Sequence, residues 1–171
     1  MAAVRTLHQV WLQQYYAVAD DKPMRWRAPA DLPPAARMIN TPYDIEARYS
    51  MKRTTTWIGY KVHLTETCDE DTPNLITHVL TTEATTPDWH AAEVSHTDLA
   101  SKDLLPAEHL LDAGYVDSEV VVTSQIEHQV KVIGPVPPDN SWQAREGAGF
   151  DVACFTLDWD AQSATCPRGT P

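Results

Sequence analysis

The sequence predicts an α/β fold in which one mixed sheet carries helices on its faces. Residues Thr54 to Thr67 are rich in β-branched and aromatic side chains and alternate apolar with polar positions, which is typical of a half-buried strand. Further along the chain, short apolar runs alternate with segments that begin at helix-capping residues. The predicted order is strand, strand, helix, strand, helix, strand. A hairpin that leads into alternating α/β units requires a mixed sheet.

The amino-terminal part of the chain is less regular. Leu7 to Val18 crowds apolar and aromatic residues around two glutamines and fits either a strand or a helix. Asp21 to Pro42 holds five prolines, which predicts an extended connector with at most a short helix near Ala35 to Ile39. The first predicted strand is followed by the acidic loop Cys68 to Asn74. This loop turns the chain into a second strand, Leu75 to Thr82, that pairs antiparallel with the first.

The central part of the chain alternates helices and strands. Asp88 follows Thr-Thr-Pro and lies near the amino-terminal cap of a predicted helix. A short strand is predicted at His109 to Asp112. The next helix has Asp117 or Ser118 near its cap, and Val130 to Gly134 is the strand that follows it.

The texture of the sequence changes after residue 135, where PVPPDNSWQAREGAGF predicts a loop. Phe150 to Leu157 and Ser163 to Cys166 then form a predicted polar hairpin. We therefore divide the chain into an amino-terminal segment with its proline-rich connector (1–42), a core (43–135), and a loop with a β-hairpin (136–171). Because the last residues, Cys-Pro-Arg-Gly-Thr-Pro, contain nothing that would complete a domain, we expect a truncated protein.

The composition is that of an ordinary soluble protein, with 43% hydrophobic and 22% charged residues in a chain of 171. No apolar run reaches the length of roughly 18 residues that a membrane helix needs, and the amino terminus lacks a secretory signal. We therefore expect a cytoplasmic location. The three cysteines, Cys68, Cys154 and Cys166, are widely spaced and form no Cys-x-x-Cys pair, so they indicate neither a disulfide framework nor a zinc site.

The net charge of −11 argues against nucleic-acid binding until its distribution is considered. From Arg25 to Lys61 there are seven basic residues against three acidic ones, whereas from Val62 to Val120 there is one basic residue against thirteen acidic ones. A basic region beside an acidic one suits an enzyme that holds phosphates with one surface and divalent cations with another. Two differently solvated faces explain the same pattern equally well.

Asp112 is the residue that points most directly to chemistry. The apolar run LLPAEHLLDAGYV delivers it into the turn Ala113-Gly114-Tyr115, where a strand should end. In an open α/β sheet, ligands and metal ions are held at the carboxyl ends of strands. Asp112 is therefore a candidate metal ligand.

An ordered set of short motifs surrounds this aspartate. The chain contains YDIEARY from residue 43, KR at 52–53, W-x-GYKVH from residue 57, a threonine-rich turn before Asp88, and LDAGY from residue 111. This set resembles the central part of bacterial insertion-sequence transposases of the DDE type, over about residues 40 to 166. The resemblance implies a ribonuclease-H-like catalytic domain. In that domain three acids bind two divalent ions, Mg²⁺ or Mn²⁺, that drive DNA strand cleavage and transfer.

The resemblance assigns Asp112 to the second acid of that site and Asp44, which precedes the GYKVH strand, to the first. A turn or helix cap after Pro42-Tyr43 is the structural alternative for Asp44. Glu146 follows Asp112 by thirty-four residues, but its surroundings predict a glycine-broken loop, whereas the third acid of the family projects from a helix. We therefore expect the third acid to lie beyond the chain end and the tail from Phe150 to open a β-rich insertion. The fragment alone should be inactive.

Basic residues near the GYKVH strand are the candidate DNA contacts. Arg48, Lys52, Arg53 and Lys61 would meet the phosphate backbone of transposon ends and target DNA, although such residues also serve to keep a strand edge soluble. Asp88 would reach the metal site from a loop, yet a helix cap is its simpler role. The resemblance is compatible with a homodimer of the full-length protein. The alternative function is that of a decayed or domesticated α/β binding protein without catalysis.

Overall fold

The computed structural model describes residues 2–17, 23–136 and 138–169, which fall into two compact units, Met1–Gly134 and Pro135–Pro171. Helices and strands are mixed in both, so the predicted α/β class is confirmed. The predicted single mixed sheet is not formed, because the described strands fall into four separate sheets, one of three strands and three of two strands. The elements of the first unit are α1 (Ala2–Gln14), β1 (Tyr15–Tyr16), β2 (Arg25–Trp26), β3 (Arg48–Lys52), β4 (Thr55–Glu66), β5 (Ile76–Glu83), α2 (Asp88–Ser101), β6 (Glu108–Leu110), α3 (Ser118–His128) and β7 (Lys131–Ile133).

The amino-terminal segment that fitted either a strand or a helix is mostly helical. α1 ends at Gln14, and β1 follows it and pairs antiparallel with β2. The side-chain amide of Gln13 donates to Arg37 O and accepts from Ile39 N, at 2.9 Å each, which ties the helix to the proline-rich connector. The connector holds a 3-10 turn at Pro29–Asp31 and only a turn, not a helix, around residue 36. Residues 18–22, where the predicted first segment ends and the connector begins, lie outside the described part of the chain.

β4 and β5 form the predicted antiparallel hairpin and differ from the predicted strands by one residue at each end. Their register places Lys61 opposite Thr82 and His63 opposite Leu80, and these side chains face α2. The other face of β4 carries Val62 and Leu64, both more than half exposed. The alternation that predicted β4 is therefore real, but the polar positions, and not the apolar ones, face the helix.

β3 was not predicted, because RYSMK has no clear alternation of its own. The tight turn Arg53-Thr54, in which Arg53 has a φ of 59°, returns the chain so that β3 pairs antiparallel with the first half of β4. The Arg48 guanidinium then anchors the start of the strand: it bonds Ala36 O at 2.9 Å and lies 3.1 Å from Glu83 Oε1. This strand therefore forms because it pairs with neighbouring elements, and not because its own residues favour a strand.

The second half of this unit contains the alternating helices and strands that were predicted. Asp117 caps α3 by accepting from Glu119 N at 2.8 Å, and Gln129, with a φ of 58°, ends it. β6 and β7 pair in parallel, with His109 opposite Val132. The buried apolar core is small and is made mainly of alanine, valine and leucine: Ala47, Ala84, Ala91, Ala92, Leu99, Val116, Val120 and Val130.

Gly134 lets the carboxyl ends of β6 and β7 converge. A β-carbon at this position would lie 2.4 Å from Leu111 O and 2.6 Å from a methyl group of Val116, closer than real β-carbons come to other atoms. Leu111 N also donates to Ile133 O at 2.8 Å. The missing side chain of Gly134 therefore helps to fix the backbone immediately before Asp112.

The second unit contains α4 (Trp142–Glu146), a 3-10 turn at Val152–Cys154, β8 (Thr156–Asp158) and β9 (Ser163–Thr165). β8 and β9 pair antiparallel, as predicted. The first strand is much shorter than the predicted Phe150 to Leu157, however, because the 3-10 turn occupies the middle of that stretch. The loop expected around Glu146 is instead a short helix, capped by Ser141 Oγ, which accepts from Ala144 N at 3.2 Å, and ended by Gly147.

In the described part of the chain, no helix combines the length and the apolar character that crossing a membrane requires.

Candidate functional site

Two aspartates face one glycine where β6 ends and α2 begins. A β-carbon placed on Gly114 would lie 3.2 Å from Asp112 Oδ1 and 3.3 Å from Asp88 Oδ2, so these two carboxylate oxygens lie within about 6.5 Å of each other, on either side of this residue. Asp112 Oδ1 also accepts from Gly114 N at 2.8 Å, which holds the carboxylate in the turn that follows β6. The structure thus brings Asp112 to Asp88.

Asp88 is the first residue of α2, but its side chain does not cap the helix. The cap residue is Pro87, and Asp88 Oδ1 instead accepts from Lys61 Nζ at 2.8 Å. Lys61 also donates to Thr86 O at 2.6 Å, and both side chains of the ion pair are about three-quarters buried. Lys61, predicted to contact DNA, is therefore placed inside the site as the cation that neutralises Asp88.

His63 of β4 and Tyr115, three residues after Asp112, form a hydrogen-bonded pair at the site. Tyr115 Oη lies 2.5 Å from His63 Nδ1, and His63 Nε2 lies 2.9 Å from Thr82 Oγ1. The rings meet edge to face. His63 is almost fully buried, so the pair forms the floor of the site.

The protonation of this pair follows from its surroundings. Burial lowers the pKa of His63, with Asp88 opposing and Lys61 reinforcing the shift. Burial raises the pKa of Tyr115, and the charges of Asp88 and Asp112 raise it further. Tyr115 therefore keeps its proton and donates to Nδ1 of a neutral His63, whose Nε2 donates to Thr82.

Two open cavities meet at His63 and Tyr115, which line both of them. The first, which we call the cleft, holds about 390 Å³ between β3, β4 and α2 and is lined in part by Lys52, Lys61 and Asp88. The second holds about 280 Å³ between β4 and β6 and is lined in part by Asp112. Each carboxylate thus borders its own cavity, and a ligand in the cleft would meet Asp88 first.

Asp44 is not brought to Asp112. Its carboxylate accepts from Tyr60 Oη at 2.9 Å and from Glu46 N and Ala47 N at 3.2 and 3.3 Å, so it closes a turn as the structural alternative had it. The Tyr60 hydrogen bond is the main reason that the pKa of Asp44 lies below its ordinary value. Tyr60 precedes Lys61 in β4, and consecutive strand side chains project to opposite faces. Asp44 therefore lies on the other side of β4 from Asp88.

The remaining residues that were predicted to contact DNA differ in whether their side chains are already held by other groups of the protein. The Arg48 side chain is only 13% exposed. Its guanidinium group forms an ion pair with Glu83 and donates to Ala36 O and Ile45 O. Lys52 and Arg53 are exposed at the turn between β3 and β4, and Lys52 lines the cleft. Only these two are free to reach a phosphate beside the site.

The side chains at the site are of the type that binds a divalent cation, but there are fewer of them than the three acids expected. Carboxylate oxygens from Asp88 and Asp112 are the ligands that Mg²⁺ and Mn²⁺ prefer. Over residues 2–17, 23–136 and 138–169, however, no group of three or more His, Cys, Asp or Glu side chains is arranged to hold a metal ion. Two aspartates, assisted by water, are what this part of the chain offers.

The sequence singled out Asp112 as a candidate but gave less weight to Asp88, His63 and Tyr115, which the structure places beside it. Asp88 was interpreted mainly as a helix cap, and neither His63 nor Tyr115 was proposed as a site residue. The signal was present in the motifs themselves: the GYKVH strand and the DAGY turn contribute Lys61, His63, Asp112 and Tyr115 to one place.

Comparisons with known proteins identify no family for this chain: no family model, no curated protein and no solved structure matches it.

Proposed function

We propose that this chain is part of a DDE-type DNA transposase, in which Asp112 and Asp88 hold a divalent cation beside a DNA phosphate. The observation that carries the proposal is the approach of the two carboxylates across Gly114, at the carboxyl end of a sheet strand. Such an edge is where open α/β sheets hold ligands. The motifs alone assigned the first metal-binding acid to Asp44. In this proposal Asp88 is the acid that binds the ion together with Asp112.

The order of the elements supports a ribonuclease-H-like core. An antiparallel hairpin, β4 and β5, is followed by α2, β6, α3 and β7, and β6 and β7 are parallel. Asp112 follows the strand β6, and Asp88 opens the helix α2. The two residues are far apart in the chain, but the fold brings them to one site.

The chemistry of the site follows from charge. A divalent cation stabilises the leaving oxygen of a phosphodiester and activates the attacking water or 3′-hydroxyl. Asp112 and Asp88 would bind this ion, and Lys52 at the cleft would orient the phosphate. Because this part of the chain supplies two carboxylates and not three, we expect it to bind the ion and DNA without cutting a strand.

Lys61 has a defined task in this scheme. Two neighbouring carboxylates repel each other unless a cation lies between or beside them. Lys61 supplies that positive charge through its 2.8 Å contact with Asp88. It would hold Asp88 in place without an ion and would share this carboxylate with a bound ion.

Metal binding is the first test. Titration with Mn²⁺, followed by the loss of its free-ion electron paramagnetic resonance signal, should give a dissociation constant of the order of 1 mM, as expected for a weak carboxylate site. Asp112→Asn and Asp88→Asn should each weaken binding by about tenfold or more, because each removes a charged ligand.

Asp44→Asn is the matched control, since it removes the same charge from the other side of β4 and should leave Mn²⁺ affinity unchanged. If Asp44→Asn weakens binding and Asp88→Asn does not, Asp88 is not a ligand. If none of the three variants changes the titration, the metal-dependent function is wrong and the non-catalytic binding protein is the better description.

DNA binding should depend on the β3–β4 turn. Each lost phosphate contact lowers the slope of log K against log salt by about 0.9, so Lys52→Ala with Arg53→Ala should reduce the slope by about 1.8. Fluorescence anisotropy of a labelled duplex at several salt concentrations measures this. Arg5→Ala with Arg25→Ala removes the same charge from other exposed positions of the first unit and should leave the slope unchanged. Equal slopes for both double variants would refute a DNA surface at this turn.

A further inference from the structure

The strands β4 and β6 face each other across a gap that neither of them closes. Among the described residues, β4 positions 60–66 pair only with β5, and β6 pairs only with β7. The two strands nevertheless line the same two cavities. The sheet is therefore interrupted between two edges that point toward each other.

The hydrogen bonds of β4 show which of its backbone groups face the gap. Gly59 O accepts from Ala84 N at 3.4 Å, and Thr65 O accepts from the Thr77 hydroxyl at 3.2 Å, so odd-numbered residues direct their carbonyl groups toward β5. Backbone groups alternate along a strand. Val62 and Leu64 therefore direct their amides and carbonyls away from β5.

The same argument applies to β6. Ala107 O accepts from Lys131 N at 3.0 Å, and Leu111 N donates to Ile133 O at 2.8 Å, so these residues face β7. The intervening Glu108 and Leu110 direct their backbone groups away from β7. Unpaired groups of two strands thus meet across one gap, and such edges attract a further strand.

The gap has room for more than water. One of its cavities, of about 280 Å³, is lined in part by residues 63–65 of β4, by residues 109–112 at the end of β6, and by Ala92 and Ser95 of α2. The other, of about 400 Å³, is lined in part by residues 64–67 at the end of β4, by residues 108–110 of β6, and by Leu99 of α2. Since rising numbers in β4 meet falling numbers in β6, the two strands are antiparallel to each other.

We infer that this gap is the docking position of an extended polypeptide segment, which completes the sheet by pairing antiparallel with β4 and parallel with β6. Its backbone would bond Val62 and Leu64 on one side and Glu108 and Leu110 on the other, a binding mode known as β-augmentation. The segment would end beside Asp112. The inference rests on the backbone alone and holds whether or not the site binds metal or DNA.

The lining of the gap defines the chemistry of the segment. Side chains directed to α2 would meet Ala92, Ser95 and Leu99, and those on the opposite face would lie beside the exposed side chains of Leu64 and Leu110, so β-branched apolar residues fit. The amino-terminal end of the segment would lie near three acids, Glu66, Asp69 and Glu108. A lysine or arginine belongs there.

The test uses the complete chain and the peptide Lys-Val-Thr-Val-Thr-Val, with Lys-Val-Thr-Pro-Thr-Val as its matched control, because proline lacks the amide and is excluded from a central strand. Amide hydrogen exchange is followed residue by residue by NMR. At a peptide concentration ten times the dissociation constant, the Val62, Leu64 and Leu110 amides should exchange about tenfold more slowly, and the proline peptide should have no effect. The His63 amide, already directed to β5, is the internal control.

Two results would overturn the inference outright, and a third would assign the position to another occupant. One is that, without peptide, the Val62, Leu64 and Leu110 amides are already as protected as that of His63, at any protein concentration, because the gap would then be closed. The other is that millimolar peptide changes none of the three rates. Protection that rises with protein concentration alone would assign the position to a second copy of this chain and would also contradict a heterologous segment.

Discussion

Replacing Gly134 by alanine should destabilise the first unit by about 2–3 kcal/mol, the upper part of the range for overpacking. The new β-carbon would stand 2.4 Å from Leu111 O, a backbone atom that cannot rotate away as a side chain does. Relief requires β6 and β7 to separate at their carboxyl ends, which also displaces Asp112. Urea unfolding, followed by helical circular dichroism, measures the loss as a lower midpoint at an unchanged m-value.

Gly114→Ala is the matched control for this experiment. Its β-carbon would meet only carboxylate groups, at 3.2 and 3.3 Å, and these can shift by a few tenths of an ångström. We expect a change in stability of less than about 1 kcal/mol, since alanine also lowers the entropy of the unfolded chain. If the two variants are equally stable, the close approach at Gly134 does not hold β6 and β7 together.

The hairpin and the helices of the first unit were predictable because each is specified by a local pattern. The burial of β4 alternates with a period of two from Thr56 to Glu66, and Asp117 is a capping residue immediately before α3. β3 and α4 were missed for opposite reasons. β3 exists because β4 offers it an edge, whereas Ser141 was a genuine capping signal hidden by the glycines that follow it.

The site was half predictable for the same physical reason. Asp112 was found because its position depends on one strand and one turn, which are local. Its partner depends on how the first turn of α2 meets the end of β6, and that is set by packing through the core and by the close approach at Gly134. Asp44 follows a motif that looks equally suitable, but the local hydrogen bonds of its own turn and of Tyr60 occupy its carboxylate.

A buried histidine network behind the site should make the fold sensitive to acid. His96, on α2, is fully buried; its Nε2 lies 2.8 Å from His109 Nδ1 and its Nδ1 lies 3.1 Å from the Ser124 hydroxyl. Burial, reinforced by His109 and His128, lowers the pKa of His96 to about 4. Burial also lowers the pKa of His109. Both rings are therefore neutral in the folded protein at neutral pH.

The sign of the effect follows from the direction of the shift. The unfolded chain takes up a proton on His96 near pH 6.5, whereas the folded chain does so only near pH 4. The neutral ring therefore contributes fully to stability above pH 6.5, and this contribution is lost as the pH falls from 6.5 to 4. A shift of this size corresponds to about 3 kcal/mol at most.

The comparison of the wild-type chain with His96→Gln isolates this loss from the titration of carboxylates. Glutamine keeps a donor and an acceptor for Ser124 and His109 but cannot be protonated in this range. Between pH 7 and pH 4.5 the wild type should lose about 2 kcal/mol more of its free energy of unfolding than the variant does, whatever their difference at pH 7. Equal losses would show that His96 is not held neutral.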